Sequence, residues 1–276
     1  MCKNAIQFYK IWRQQYDGFS CSLGQWYNSY YSSRAVFTAL KATGTDELWF
    51  SSTSSERYCA ESANVLCGKV KATGLPTDRE LYETIREEIK TAIEHAEFVG
   101  LKAHPLYWVI PEIHKSKSSY VTIEKAMSEL PYEGFKLHPR GNFWDLQDDK
   151  TIALAEEVFS YAEKYNLLVL IHCGPDPFEL PTKFESFIAH HPKCTVQLAH
   201  TRPLEKTLYM LKKYPNTLCD IAFTPDDVQK SVIEAGFEKR MRYGTDFPIT
   251  HWYERQPEHN PTEEELIKFL SEKNNI

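Results

Sequence analysis

From about residue 130 onward the chain repeats one rhythm: a short apolar run, a polar loop, then a stretch with apolar residues three and four apart. The apolar runs are Gly134–His138 (GFKLH), Leu167–His172 (LLVLIH), Thr195–His200 (TVQLAH), Thr217–Phe223 (TLCDIAF) and Met241–Asp246 (MRYGTD). Their length and enrichment in apolar residues predict buried strands. Between them, Lys150–Tyr165, Thr182–His190, Pro203–Lys213 and Pro225–Glu234 carry the helical spacing, as at Leu204, Leu208 and Leu211. Pro203 and Pro225 stand where a first helical turn tolerates a missing N–H. Near-continuous apolar strands alternating with helices predict parallel pairing with both sheet faces covered.

The first half is less regular but can be counted the same way. Glu47–Ser52 (ELWFSS) follows a helical stretch at Arg34–Thr43, and Leu101–Ile110 (LKAHPLYWVI) follows a longer one at Asp78–Phe98. A first strand near Phe19–Leu23 brings the tally to eight strands, each followed by a helix. Eight such units fit an α/β fold of the (β/α)8 TIM-barrel type better than an open doubly wound sheet. No Gly/Ser/Pro-rich linker, internal repeat or low-complexity tract divides the chain, so residues 1–276 are expected to form a single domain.

Composition narrows the function. The 276 residues carry 38 acidic against 32 basic side chains, a net charge of -6, with no basic run longer than a pair or so. That balance argues against nucleic acid as a partner, because phosphate recognition needs clustered Lys and Arg. The longest clean apolar run, Leu167–Ile171, is far short of the ~20 residues that span a bilayer, and the N-terminus has no apolar signal core. The seven cysteines (2, 21, 59, 67, 173, 194, 219) are odd in number and contain no C-x-x-C pair. This suits a reducing compartment, so a cytoplasmic location is the expectation. Phosphate-loop, dinucleotide and H-E-x-x-H fingerprints are absent.

Candidate chemistry lies at the strand ends. Lys136 and His138, His172, His200 and Asp246 each stand at or near the C-terminal end of a predicted strand. In a barrel these ends converge on one mouth, which carries the active site. A lone His there reads most simply as a hydrogen-bonded core residue. Two imidazoles and a carboxylate, each ending a separate strand, point instead to a shared site, and they form a donor set suited to Zn, Mn or Fe.

The segments GFKLHP (134–139), LLVLIHCG (167–174), TVQLAH (195–200), YPN (214–216) and YGTDFP (243–248) resemble the amidohydrolase superfamily, specifically its amidohydrolase-related branch of metal-dependent hydrolases and decarboxylases. Order and spacing agree over roughly residues 130–250. The resemblance implies that His172 is a metal ligand at the end of strand 5. It implies that His200 at strand 6 binds metal or polarises the substrate, and that Asp246 at strand 8 is a metal ligand and proton acceptor. Lys136, His138 and Arg140 fall where substrate is bound, with a carboxylated Lys136 as an alternative oxygen ligand. Family members usually open with D-x-H-x-H-x-G. Here GFSCSLG aligns Gly18 with the Asp, Ser20 and Ser22 with the two His, and Gly24 with the glycine.

The resulting expectation is an enzyme: a hydrolase that cleaves a C–N or C–O bond of a small molecule with a divalent metal, zinc first. The alternatives are a decarboxylase of a small carboxylic acid, and a barrel that lost its metal with the His pair and now binds a ligand or partner. A homodimer is expected by analogy with other barrels. Some residues invite other readings. Cys173 follows His172 and resembles a nucleophile, but strand alternation turns it to the opposite face, so packing is expected. His190 and His191 (AHHPKC) read as solvated helix-end histidines. Glu112, His114 and Asp17 are weaker substitutes for a lost ligand. Trp12, Trp26, Tyr27, Tyr30 and Tyr31 are expected to be structural.

Overall fold

The computed structural model describes residues 7–11, 32–52, 78–115, 121–142, 144–244, 246–255, 257 and 259–274. Eight strands run in sequence order in one sheet: β1 (Gln7–Ile11), β2 (Glu47–Ser52), β3 (Lys102–Trp108), β4 (Gly134–Leu137), β5 (Leu168–Ile171), β6 (Thr195–Leu198), β7 (Thr217–Asp220) and β8 (Met241–Arg242). Every neighbouring pair is parallel, with β4 against β5 in the register Lys136↔Leu170 and β5 against β6 in the register Ile171↔Leu198. Sequential order with a crossover after each strand is the strand order of a TIM barrel, as the eight-unit rhythm predicts. No hydrogen-bonded pair joins β8 to β1 among the described residues.

The described α-helices are α1 (Ser33–Ala42), α2 (Asp78–Val99), α3 (Pro111–Lys115), α4 (Ile123–Glu129), α5 (Asp149–Tyr165), α6 (Glu185–His190), α7 (Leu204–Lys213), α8 (Asp226–Glu234), α9 (Ile249–Arg255) and α10 (Glu263–Asn274), with short 3-10 turns at Pro181–Phe184, Ala199–Thr201 and Glu238–Arg240. Most expected elements agree to within a few residues. Helices α3, α4, α9 and α10 are not among those the pattern predicts: the first three, of five to seven residues, are too short to display a period, and the last is strongly charged. Phe19–Leu23, where the first strand is expected, lies outside the described residues, and the strand that pairs with β2 is Gln7–Ile11. No helix of the described residues is long and apolar enough to cross a membrane.

Alternation along the strands divides the core in two. Phe135 and Leu137, Val169 and Ile171, and Val196 and Leu198 face outward into the main apolar cluster with Phe37, Ile89, Phe159 and Ile188 of the helices. Leu106, Leu168, Leu170 and Ala199 form a smaller inner cluster. Helix α2 buries Leu81, Ile85, Ile89, Ala92 and Ala96 along one stripe of helical period, and each large aliphatic side chain so buried contributes roughly 1.5–3 kcal/mol. Gly134 opens β4 where the β5 backbone and the Leu106 side chain approach closely. A Cβ there would overlap the Leu168 carbonyl oxygen and lie 2.8 Å from Leu106 Cδ2. Helix α5 is bounded by its own sequence: Asp148 caps the Thr151 N–H at 3.1 Å, and Asn166 ends the helix at φ 53°.

Candidate active site

The inward-facing parity of β4 carries Lys136 and His138, 5% and 9% exposed, towards the barrel mouth. One residue beyond β5, His172 donates its backbone N–H to the Leu137 carbonyl, which extends the ladder and aims the ring the same way. His200 lies two residues beyond β6, and Asp246 follows β8; they are 4% and 9% exposed. Of the five described non-glycine residues with positive φ, four (His200, Thr201, Phe223 and Asp246) lie on these strand-end turns. Backbone strain of that kind, on the order of 1–3 kcal/mol per residue, persists where the surroundings impose it and gathers at functional sites.

The rings of Trp108, His138 and His172 form a column: Trp108 and His138 centroids are 5.7 Å apart, and His138 and His172 centroids are 4.0 Å apart. The Lys136 ammonium lies 5.9 Å from the Trp108 ring centre. His200 meets His172 edge-on, with Nε2 3.2 Å from His172 Nδ1. Hydrogen bonds set the tautomers. His200 Nδ1–H donates to the Ala222 carbonyl at 3.0 Å, so its Nε2 carries a lone pair into the site. Burial holds the His200 pKa below its ordinary 6.5, against the pull of Asp246 and Asp220, which favours the neutral ring. His138 Nδ1 accepts from the Gly141 N–H at 3.1 Å, which leaves Nε2–H as a donor.

The turn that presents His200 is built by Asp220, the last residue of β7 and only 1% exposed. Its carboxylate accepts from the His200 N–H at 2.8 Å, the Ala222 N–H at 3.2 Å and the Gln197 side-chain amide at 2.8 Å. Its backbone carbonyl accepts the Thr201 hydroxyl. A buried carboxylate satisfied by three donors holds His200 in its left-handed conformation (φ 67°).

A second buried carboxylate comes from the loop after β5. Glu179 is 5% exposed, and its Oε1 lies 3.4 Å from His172 Nε2. Burial raises its pKa, partly offset by the positive charges of Arg140 and Arg202. His138, His172 and Glu179 are the only described group of three that gathers one donor atom each within 4.8 Å. The structure therefore joins His172 to His200 directly, sets Lys136 and His138 beside them, and brings Arg140 and Asp246 close enough for their charges to act on Glu179 and His200. It does not gather His172, His200 and Asp246 into one such three-donor group. Glu179 and Asp220 were missed by sequence reasoning. The strand-end position of Asp220 offered a signal, whereas Glu179 lies in a loop with none.

The other candidates resolve into structure. Cys173 is fully buried on the outer face with its thiol pKa pushed well up by burial. His190 is exposed as expected, but His191 is not solvated: it is 7% exposed and bridges Glu156 at 2.9 Å and Glu163 at 3.2 Å, because the chain turns it back over helix α5. His114 spends both ring nitrogens on Tyr107 and the Val121 carbonyl. Glu112 is held largely away from water and its pKa is raised by burial. Gly18, Ser20, Ser22 and Gly24, with Asp17, Trp12, Trp26, Tyr27, Tyr30 and Tyr31, lie outside the described residues.

Comparison with known proteins bears on the family and the fold. A family profile described as amidohydrolase matches residues 42–272. The chain belongs to the amidohydrolase family. Amidohydrolase membership places it among enzymes. A search of curated proteins returns no match. Among solved structures, a probable 2-pyrone-4,6-dicarboxylic acid hydrolase from Acinetobacter baumannii with citric acid bound is similar at a TM-score of 0.54 and 13% identity, over 98% of this chain and 91% of that one. A 2,6-dihydroxybenzoate decarboxylase from Rhizobium aligns at a TM-score of 0.48 and 12% identity, covering 83% of each chain. An N-acetylneuraminate lyase from Mycoplasma synoviae aligns at 0.49 and 12%, over 99% of this chain and 80% of that one.

Proposed function

We propose that this amidohydrolase-family chain, residues 1–276 as a single barrel domain, is a metal-dependent hydrolase that cleaves a C–N or C–O bond of a small molecule. The observation that carries the reading is the His172–His200 pair. A nitrogen separation of 3.2 Å matches the roughly 3.3 Å between two nitrogen ligands of one tetrahedral ion at about 2.0–2.1 Å. The Ala222 carbonyl already fixes the His200 tautomer that ligation requires. His172, His200 and Asp246 would hold the cation, with zinc the first choice for such a donor set. When bound, it supplies a Lewis acid and brings the pKa of water near 7.

The chain's own residues supply the remainder. Asp246, whose carboxylate acts on His200 electrostatically, accepts a proton from water and returns it to the leaving group. His138 offers its Nε2–H to a substrate oxygen, and Lys136 and Arg140 bind a substrate carboxylate or phosphate. The buried aromatic column excludes water from one side of the site.

The test is elemental analysis of protein purified without added metal or chelator, beside a His172→Ala control, followed by product analysis on amide, lactone and carboxylic-acid panels. Close to one Zn, Mn or Fe per chain, lost in the control, supports the reading. Release of CO₂ in place of a hydrolysis product transfers it to decarboxylation. A chain that takes up no metal even from added zinc refutes it in favour of a binding barrel. Asp246→Asn is expected to lose at least about 100-fold in kcat with its fold intact.

A further inference from the structure

We propose that Glu179 is a positioning residue for His172: it takes the His172 Nε2–H and thereby lets Nδ1 yield to a cation the proton it shares with His200 Nε2. The inference rests on the metal reading above and extends it to a loop residue outside the strand-end pattern. The argument runs through the protons. His200 donates Nδ1–H to the Ala222 carbonyl, so its Nε2 accepts the His172 Nδ1–H across 3.2 Å, and a cation held by both rings takes the place of that proton. For both to hold one cation, His172 must carry its proton on Nε2. That nitrogen faces Glu179 Oε1 at 3.4 Å, and His172 is the one ion-pairing partner of Glu179 among the described residues. A carboxylate behind a ligating imidazole sets the tautomer, fixes the ring plane and raises ligand basicity. Glu179 lies on the ring edge away from His200, so it acts through His172 rather than on the cation.

The carboxylate is seated by the fold. The loop closes on itself through Gly174 N–H to the Glu179 carbonyl at 3.1 Å and Glu179 N–H to the Asp176 carbonyl at 2.8 Å. The side chain folds over Gly174, where any Cβ would overlap Glu179 Oε2. The absence of a side chain at Gly174 is therefore what admits the carboxylate beside His172. Arg140 and Arg202 pull on its charge from beyond ion-pairing distance, so neither competes with the imidazole for its oxygens.

The experiment is zinc titration of wild type, Glu179→Gln and Gly174→Ala in competition with a chromophoric chelator. Circular dichroism confirms folding, and histidine-ring ¹⁵N NMR is recorded on the metal-free proteins. Both variants are expected to bind zinc 10–100-fold more weakly, roughly the effect of losing such a partner, and both are expected to shift the His172 ring nitrogens. Wild-type zinc affinity in Glu179→Gln overturns the proposal. If wild type itself takes no zinc, the metal reading falls, and the NMR arm still decides Glu179: unchanged His172 ring signals in Glu179→Gln overturn it.

Discussion

Replacing Asp220 with Ala tests whether this carboxylate builds the turn that presents His200. The substitution strips three donors of their acceptor in one step: the His200 N–H at 2.8 Å, the Ala222 N–H at 3.2 Å and the Gln197 amide at 2.8 Å. All belong to buried residues or the adjoining turn. A hydrogen bond to a charged group is worth about 1.5–3 kcal/mol, and a buried donor left without a partner costs about 1–3 kcal/mol. The terms are not additive, and water can enter the vacated space, so the expected loss is roughly 3–5 kcal/mol. For a chain of this size that lowers the midpoint of thermal unfolding by about 6–15 °C. Asp220→Asn keeps an oxygen for the two backbone donors. It makes Gln197 reverse its amide to find a donor, and should cost under about 1.5 kcal/mol. The assay is urea unfolding of the three proteins followed by circular dichroism and fluorescence. A loss below about 1 kcal/mol in Asp220→Ala, or equal losses in the two variants, refutes the assignment.

Three further outcomes follow from the geometry. Gly134→Ala forces a Cβ into the Leu168 carbonyl of the neighbouring strand and is expected to destabilise by about 1–3 kcal/mol or more; wild-type stability by urea unfolding would show that β4 and β5 do not approach as described. His114 has its pKa lowered to about 4 by burial, so the unfolded chain binds the extra proton between pH 4 and 6.5. Its contribution, up to roughly 3 kcal/mol, is full above pH 6.5 and is lost as pH falls towards 4. Unfolding free energies at pH 7 and 5 in wild type and His114→Gln check this, since the variant should flatten the slope. Finally, Cys173 is fully buried, as are Cys194, with its thiol pushed up to about 12, and Cys219, pushed up to about 11. Peptide-level mass spectrometry after alkylation of the native protein should find these three unmodified, and labelling of Cys173 under native conditions would contradict its outward, packed placement.

Much of the architecture was legible along the chain because a parallel barrel writes itself locally. Strands buried on both faces must be apolar almost throughout, and the crossover helices must show the 3.6 period. That is why GFKLH, LLVLIH and TVQLAH were readable as strands, and why Lys136, His138, His172, His200 and Asp246 stood out as polar residues with no local reason to end them. The polar ends mattered because eight strands in sequence order converge on one mouth, a rule of topology rather than of any one segment.

What sequence determined by itself was the set of polar groups delivered to that mouth. Tertiary structure alone decided how they meet. The β4–β5–β6 register stacks His138 on His172 and sets His172 against His200. Asp220 reaches from β7 to hold the left-handed turn at His200. Glu179 enters only because its loop doubles back over Gly174. His191, whose neighbours along the chain suggest a solvated helix end, is buried by two glutamates from helix α5. Alternation and period are properties of consecutive residues and survive in sequence. Loop closure and hydrogen-bond partners about 20–30 positions apart depend on the whole packed chain, so they appear only once it is folded.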